Sequence, residues 1–396
     1  FTGPLPPFYQ EQIIFRGDNR GGYDPYFLAV TPSGEVEFQV QDANNNTAVV
    51  QAPVPANQFV YIVGSLNNTT NEMSLYINGG LAAQTFTSIR PLGQLDSGFN
   101  PGIGIGNVQD PSAYTEGFDG VIADAAVFNR SLPPVQPDFN NDGRADCLFQ
   151  NTVTGDLVYW LMNFNTRVGA GAISPENPGS TAWQAVDVLD INGDDEADLL
   201  FQNTSTGDLA YWLLNGAAVT GAGFLNPRNP GSLSWQLVGV GDFNGDGRPD
   251  LLFQNSGTGD LAYWLMDGSQ RISYGLLAPS SSGSLAWRVV GVADLNGDGW
   301  PDLVFQNQSS GQLAYWLMYG TTKIGGGFFN PSSPGSISWR VVGVSDISGD
   351  GRPDLLFRNS STGALAYWYL YGVDRIGAGL LSPSNPGPNW RIVEPH

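Results

Sequence analysis

Five short loops concentrate the ligand chemistry of this chain. They read DFNNDGRAD, DINGDDEAD, DFNGDGRPD, DLNGDGWPD and DISGDGRPD, and they begin at Asp138, Asp190, Asp242, Asp294 and Asp346. All follow the pattern D-x-N-x-D-G-x-x-D or a near variant, with oxygen-bearing side chains at positions 1, 3, 5 and 9. These are Asp138, Asn140, Asp142 and Asp146 in the first loop, and Asp190, Asn192, Asp194 and Asp198 in the second. The third has Asp242, Asn244, Asp246 and Asp250, and the fourth Asp294, Asn296, Asp298 and Asp302. The fifth has Asp346, Ser348, Asp350 and Asp354. Position 7 can add a backbone carbonyl, and glycine at position 6 permits the left-handed turn that wraps a chain around an ion. Hard oxygens at this spacing suit Ca2+, which takes about six to eight of them in flexible geometry, better than Mg2+ with its strict octahedron.

The competing reading is an Asx-rich turn that holds itself together without metal. Recurrence favours the ion, because aspartates packed this closely repel one another unless a cation intervenes. The expectation is up to five Ca2+, one per loop. Five such ions would bring the formal net charge from −21 to −11. Asp195 replaces the position-6 glycine of the second loop, and Ser348 replaces the asparagine of the fifth. Those two loops are expected to bind most weakly.

Other chemistries are excluded by what is scarce. His396 is the only histidine and Cys147 the only cysteine. A Ser–His–Asp set, a Cys–His pair and His-ligated zinc are therefore not expected, and the chain reads as a non-enzyme. Cys147 stands where other repeats place Leu199, Leu251, Leu303 and Leu355, which marks it as a small buried hydrophobe. With Lys323 the single lysine, no basic stripe exists for nucleic acid. No apolar run is long enough to enter a membrane. The sequence opens on Phe-Thr-Gly without Met or a signal-like segment, as expected of a processed or partial chain.

A strict period positions the loops. Their first aspartates are 52 residues apart, as are Trp160, Trp212, Trp264, Trp316 and Trp368. Trp183, Trp235, Trp287 and Trp339 keep the same spacing, and Trp390 arrives one residue early. In the third unit "WQLVGVGD", "DLLFQN", "DLAYWLMDG" and "QRISYGLLAP" read as four strands. Four strands in about 50 residues make one propeller blade. The first unit lacks the tryptophan-led strand, and the chain ends on "NWRIVEPH", which can supply it. Residues 138–396 are thus expected to form a five-bladed β-propeller whose C-terminal strand closes the first blade; an open solenoid is the alternative. Closure would remove open sheet edges.

The D-x-N-x-D-G-x-x-D-L-L-F core resembles FG-GAP or VCBS-type repeats, which occur in integrin-like propellers and secreted microbial proteins. That family more often closes with seven blades. The resemblance implies structural calcium at the blade edge, held by Asp138, Asn140, Asp142, Asp146 and their counterparts in the other units. In the recurrent "AYWL" strand, alternation places Tyr and Trp on opposite faces. One face can fill the space between blades, and the other could offer a ring to a sugar.

Residues 1–133 lack the period. "YFLAVTPSGEVEFQVQD", "SLYINGGLAAQ" and "FDGVIADAAVFNRSLP" resemble a laminin-G-like or concanavalin-like jelly roll, with residues 134–137 as a linker in the Pro-rich "SLPPVQP". The fold class is therefore all-β, a jelly-roll sandwich followed by the propeller. That fold starts earlier than "QIIFRGDN", so an unpaired edge open to another chain's strand is expected there. Glu35 and Glu37 approach a glucanase motif but lack its third acid, and are read as a solvated strand face. Sequons occur at Asn45, Asn67, Asn68, Asn129, Asn203, Asn307 and Asn359.

Together these features describe a secreted or cell-surface calcium-binding adhesion or recognition protein, with glycans or extracellular matrix as partners. The alternative is a structural subunit of an extracellular filament or sheath, a homo-oligomer assembled by strand exchange at the N-terminal domain.

Overall fold

The computed structural model describes residues 11–17, 25–55, 60, 62–66, 71–77, 80–91, 102–105, 122, 137–140, 144–194 and 196–393. These contain β-strands and turns but no helix, so among them none is long and apolar enough to cross a membrane. The chain divides into two compact units, Phe1–Ser131 and Leu132–His396.

In the first unit β1 (Glu11–Gly17), β2 (Tyr26–Val30), β3 (Glu35–Gln41) and β4 (Thr47–Pro53) are followed by β5 (Ile62–Leu66), β6 (Glu72–Ile77), β7 (Gly80–Phe86) and β8 (Gly102–Ile105). They form a five-stranded sheet in the order β4-β3-β2-β1-β8 and a three-stranded sheet β5-β6-β7. Leu28, Val36, Phe38, Val40 and Val50 of the larger sheet share a core with Met73 and Leu75 of the smaller. The sheets meet closely at Gly64, where an added Cβ would lie 2.6 Å from the Phe38 ring.

Two expectations fail in this unit. Strand β1 pairs with β2 on one side and, from Ile14 to Gly17, with β8 on the other, so among the described residues this stretch is not an open edge. Glu37 is not solvated: it is 5% exposed, lies directly opposite buried Ala29, and accepts a hydrogen bond from Gln51. The second face of this sheet is covered at Phe15, Phe27 and Ala29, whereas the sequence reading left it open. Glu35 is partly buried and accepts from the Ser33 hydroxyl.

The second unit contains, among the described residues, five antiparallel sheets of four strands, two of them joined by one parallel bridge between Ala278 and Thr322. The third sheet runs Trp235–Gly241, Asp250–Asn255, Asp260–Asp267 and Gln270–Ser281. In its neighbours the tryptophan-led first strand is Trp183–Leu189, Trp287–Ala293 or Trp339–Ser345. In the first sheet that place is taken by Trp390–Val393, which pairs with Cys147–Asn151. The second strands are apolar runs because both their faces are covered: Asp250, Leu251, Leu252 and Phe253 are all buried. The fourth strands alternate exposed and half-buried residues, as on a sheet's outer edge.

Successive sheets are fastened at the start and end of their fourth strands by parallel bridges. These join Ser174 to Ala218, Asn226 to Gln270, Ala278 to Thr322, Asn330 to Asp374, and Ser382 back to Thr166. Five apolar clusters fill the spaces between adjacent sheets, including one between the fifth and the first that contains Cys147, Trp160, Leu356, Tyr367 and Ile392. A bulge at Val290 bends the fourth sheet's first strand. Next to it, a Cβ on Gly291 would fall 2.1 Å from Val344 of the following sheet, so only glycine allows this approach.

Candidate functional site

In the second to fifth sheets the acidic loop joins the first and second strands, and in the first sheet it leads into the second strand; the aspartates divide into two groups. In the third loop Asp242 Oδ1 accepts from the backbone N–H of Gly245 and Asp246 at 2.7 and 3.1 Å, and Oδ2 accepts from Gly247 at 2.9 Å. Asn244 Oδ1 accepts from Asp246 N–H, and Asp246 Oδ1 from Arg248 N–H. The fourth loop repeats each bond with Asp294, Asn296 and Asp298. In the fifth, Asp346 accepts from Gly349, Asp350 and Gly351, while Ser348 donates its hydroxyl to Asp346. The second loop keeps the contacts of Asp190, Asn192 and Asp194. Asp142 and Asp195 lie outside the described residues.

Position 9 behaves differently. Asp146, Asp198, Asp250, Asp302 and Asp354 are each 0% exposed, beneath the loop. Both oxygens of Asp250 are engaged: Oδ2 takes the N–H of Phe243 in its own loop, and Oδ1 that of Met266 on the third strand. The same pair of hydrogen bonds is accepted by Asp146 from Phe139 and Met162, by Asp198 from Ile191 and Leu214, and by Asp302 from Leu295 and Met318. Asp354 bonds Ser348 rather than the preceding Ile347, together with Leu370. This carboxylate therefore staples the loop to the strand two places along.

Burial is the main force on these groups. It pushes the Asp250 carboxyl up to about 7, against the two amide donors, and the charges of Asp246 and Asp242 push the same way. Asp198, Asp302 and Asp354 also reach about 7 for the same leading reason. Asp294 and Asp346 at position 1 are raised, again chiefly by burial.

The donor set suits a hard cation, since an oxygen that accepts one amide keeps a second lone pair. Among the described residues, however, no three His, Cys, Asp or Glu side chains are grouped to hold a metal. Positions 1, 3 and 5 come together at the loop, and position 9 sits below them on amides.

Sequence reasoning missed a second recurrent device. Gln150, Gln202, Gln254 and Gln306 follow the buried Phe of each second strand. Each donates from Nε2 to the carbonyl of the next sheet's Trp183, Trp235, Trp287 or Trp339 at 2.9 to 3.0 Å. In return Oε1 accepts from Ala185, Leu237, Val289 or Val341. Its signal was available, a glutamine at the fixed period within an apolar strand.

The aromatic strand faces the core. Trp160, Trp264, Trp316 and Trp368 are buried, each against the Phe of the second strand at 4.6 to 5.0 Å between ring centres. Arg167, Arg271, Lys323 and Arg375 cap them at 4.5 to 4.9 Å. No ring of this set is open to a sugar. The sequon residues Asn203, Asn307 and Asn359 cap their own hairpin turns through Oδ1, and so do Asn151 and Asn255, which lie in no sequon. That recurrence is a turn requirement. Asn45 is exposed in a left-handed turn, and Asn67, Asn68 and Asn129 fall outside the described residues.

Comparison with known proteins agrees with this architecture. Residues 7–136 match the family model of the concanavalin A-like lectin/glucanases superfamily. Residues 138–201, 242–305 and 294–357 match that of the FG-GAP-like repeat. Comparison with curated proteins gives no match. Among solved structures, the Tc holotoxin pore of Photorhabdus luminescens is 14% identical with a TM-score of 0.38, covering 96% of this chain and 15% of the toxin chain. A nidogen/laminin complex is 14% identical with a TM-score of 0.38, covering 63% of this chain and 96% of that one. AztD of Citrobacter koseri is 10% identical with a TM-score of 0.28, covering 97% of each chain. Likenesses this distant carry no inference about ligands. From the family matches and the strand order, the chain is a concanavalin A-like lectin/glucanase superfamily domain followed by FG-GAP-like repeats.

Proposed function

We propose that this chain is an extracellular recognition protein whose repeat unit is made rigid by calcium and which binds glycans or extracellular matrix. Its two domain types fit an extracellular adhesion or recognition role. The observation that carries the calcium reading is the recurrence of one carboxylate arrangement in the third, fourth and fifth loops. Two acids and a third polar side chain share each loop with their oxygens already oriented, as in Asp294, Asn296 and Asp298. Asp294, Asn296 and Asp298 would hold the ion in the fourth loop, and their counterparts would do so in the others. The ion would neutralise the loop's charge; Asp302 would keep the loop tied to the third strand. No catalysis is assigned to the chain.

Calorimetric titration with Ca2+ tests the reading, paired with binding of the whole chain to immobilised glycans and matrix proteins in Ca2+ and in EDTA. The expected results are heat of binding at several sites per chain and retention of at least one ligand. A chain that takes up no Ca2+ and whose melting is unchanged by EDTA removes the metal from the reading.

A further inference from the structure

Two tryptophans outside the buried set have a different surrounding. Trp183 begins the first strand of the second sheet, and Phe224 ends its fourth; their ring centres lie 6.0 Å apart at 45°. Two units on, Trp287 and Phe328 repeat the pair at 6.2 Å and 45°. Small residues allow the approach, since Ala210 stands opposite Phe224 and Ala314 opposite Phe328. Both tryptophans are half-buried, with part of each ring against the core. The phenylalanines are 46% and 56% exposed. The third and fifth sheets carry Leu276 and Leu380 at that place, and the first carries Ala172.

We propose that these two aromatic pairs are stacking sites for a neutral pyranose unit of a glycan. This inference rests on the recognition reading above and names its ligand class. One face of a pyranose presents C–H bonds whose polarised hydrogens meet the negative face of an aromatic ring. Its rim of hydroxyls needs donors and acceptors beside that ring. The second sheet supplies them. Arg228 stacks on one face of the Phe224 ring at 3.6 Å, which leaves the rest of the ring for the sugar, and pairs with Asp208 at 3.0 Å; Asn229 donates to the same Asp208 at 3.3 Å. The Arg228 side chain is 54% exposed, within reach of a ligand's hydroxyls. The guanidinium charge is already matched by Asp208, which suits hydroxyls rather than a carboxylate or sulfate. The net charge of −21 also disfavours an anionic ligand. In the fourth sheet Ser332, Ser333 and Gln312 occupy the places of Arg228, Asn229 and Asp208, again without net charge. Two sites on one chain add avidity toward a repeating glycan.

The test uses the full chain with a panel of neutral and acidic oligosaccharides, read by tryptophan fluorescence and calorimetry. The variant is Phe224→Leu with Phe328→Leu, because leucine occupies the equivalent place in the third and fifth sheets and so suits the fold. Leu276→Ala is the control. The expected result is binding of a neutral oligosaccharide with a tryptophan fluorescence change, weakened about tenfold or more in the double variant at unchanged melting temperature. It stays within about twofold in the control. Undiminished binding by the double variant overturns the stacking sites and leaves glycan recognition standing. A chain that binds only acidic glycans or matrix protein also overturns the stacking sites and leaves the recognition reading standing. A chain that binds none of these overturns both.

Discussion

The position-9 aspartate is the residue whose removal reports most directly on how these units hold together. Asp250→Ala leaves the N–H groups of Phe243 and Met266 buried without an acceptor, at about 1–3 kcal/mol each. Asp250→Asn retains one acceptor oxygen and is expected to cost roughly half as much. Urea unfolding of the two variants in EDTA checks the order; equal costs would mean the two bonds do not act separately. Protonation has an opposite and measurable sign. The folded carboxyls of Asp198, Asp250, Asp302 and Asp354 titrate near 7, well above the ordinary value of 3.8. Between those values the folded state binds more protons than the unfolded one, so stability falls as pH rises through that window. In EDTA the melting temperature is expected to decline from pH 5 to pH 7.5. Saturating Ca2+ is expected to flatten the decline, because the ion favours the charged form. A melting temperature that rises over this range in EDTA would contradict the burial of these groups.

At the scale of elements, the glutamine clasp is expected to fasten one sheet to the next. Gln254→Leu removes the bonds to Trp287 O and Val289 N while keeping an apolar strand interior, and leaves both backbone groups without this partner. An expected loss of about 1–3 kcal/mol is measurable by denaturant unfolding. A double-mutant cycle with Asp250→Asn should be nearly additive, as the two devices share no partner. The four-strand unit was legible in the sequence because hydrophobic runs, turn glycines and the period of 52 all encode one supersecondary element. The acidic loops were legible as clusters of oxygens. What the sequence could not convey was where those oxygens point. Asp250 and Asp246 look alike in a nine-residue motif, yet one is buried on two amides and the other is at the surface. Glu37 escaped for a related reason: alternation states which face of β3 it occupies, but not that this face is covered. Gln254 was hidden because its partners lie on the next sheet, more than thirty residues along.

At the scale of the whole second unit, one junction differs from the rest. Between the fifth and first sheets Arg358 occupies the place of the clasp glutamine and reaches only Gly387 O at 3.4 Å. Cys147 replaces a leucine here and borders a small cavity with Met162, Ile347, Leu356 and Leu381. Arg391 partly compensates by bonding Gln150 Oε1 at 2.9 Å and Ala185 O at 2.7 Å, but the first bond stays within the first sheet and the second ties the closing strand to the second sheet, not to the fifth. This junction is therefore expected to open first, and the chain carries its own probe there, since Cys147 is buried and is the single thiol. Labelling of Cys147 by a thiol reagent under native conditions measures the population of the open junction when reclosing outpaces the reaction. The comparison is a chain with Cys147→Leu and Leu303→Cys, which moves the thiol to the same place between the third and fourth sheets, where the Gln254 clasp is intact. Native Cys147 is expected to label about tenfold or more faster, the factor corresponding to two missing hydrogen bonds of about 0.7 kcal/mol each. Arg358→Gln offers Trp390 O a donor and Ile392 N an acceptor, and should slow Cys147 labelling toward the rate at position 303. Equal rates at the two positions in the starting chains would show that the closing strand is held as firmly as every other.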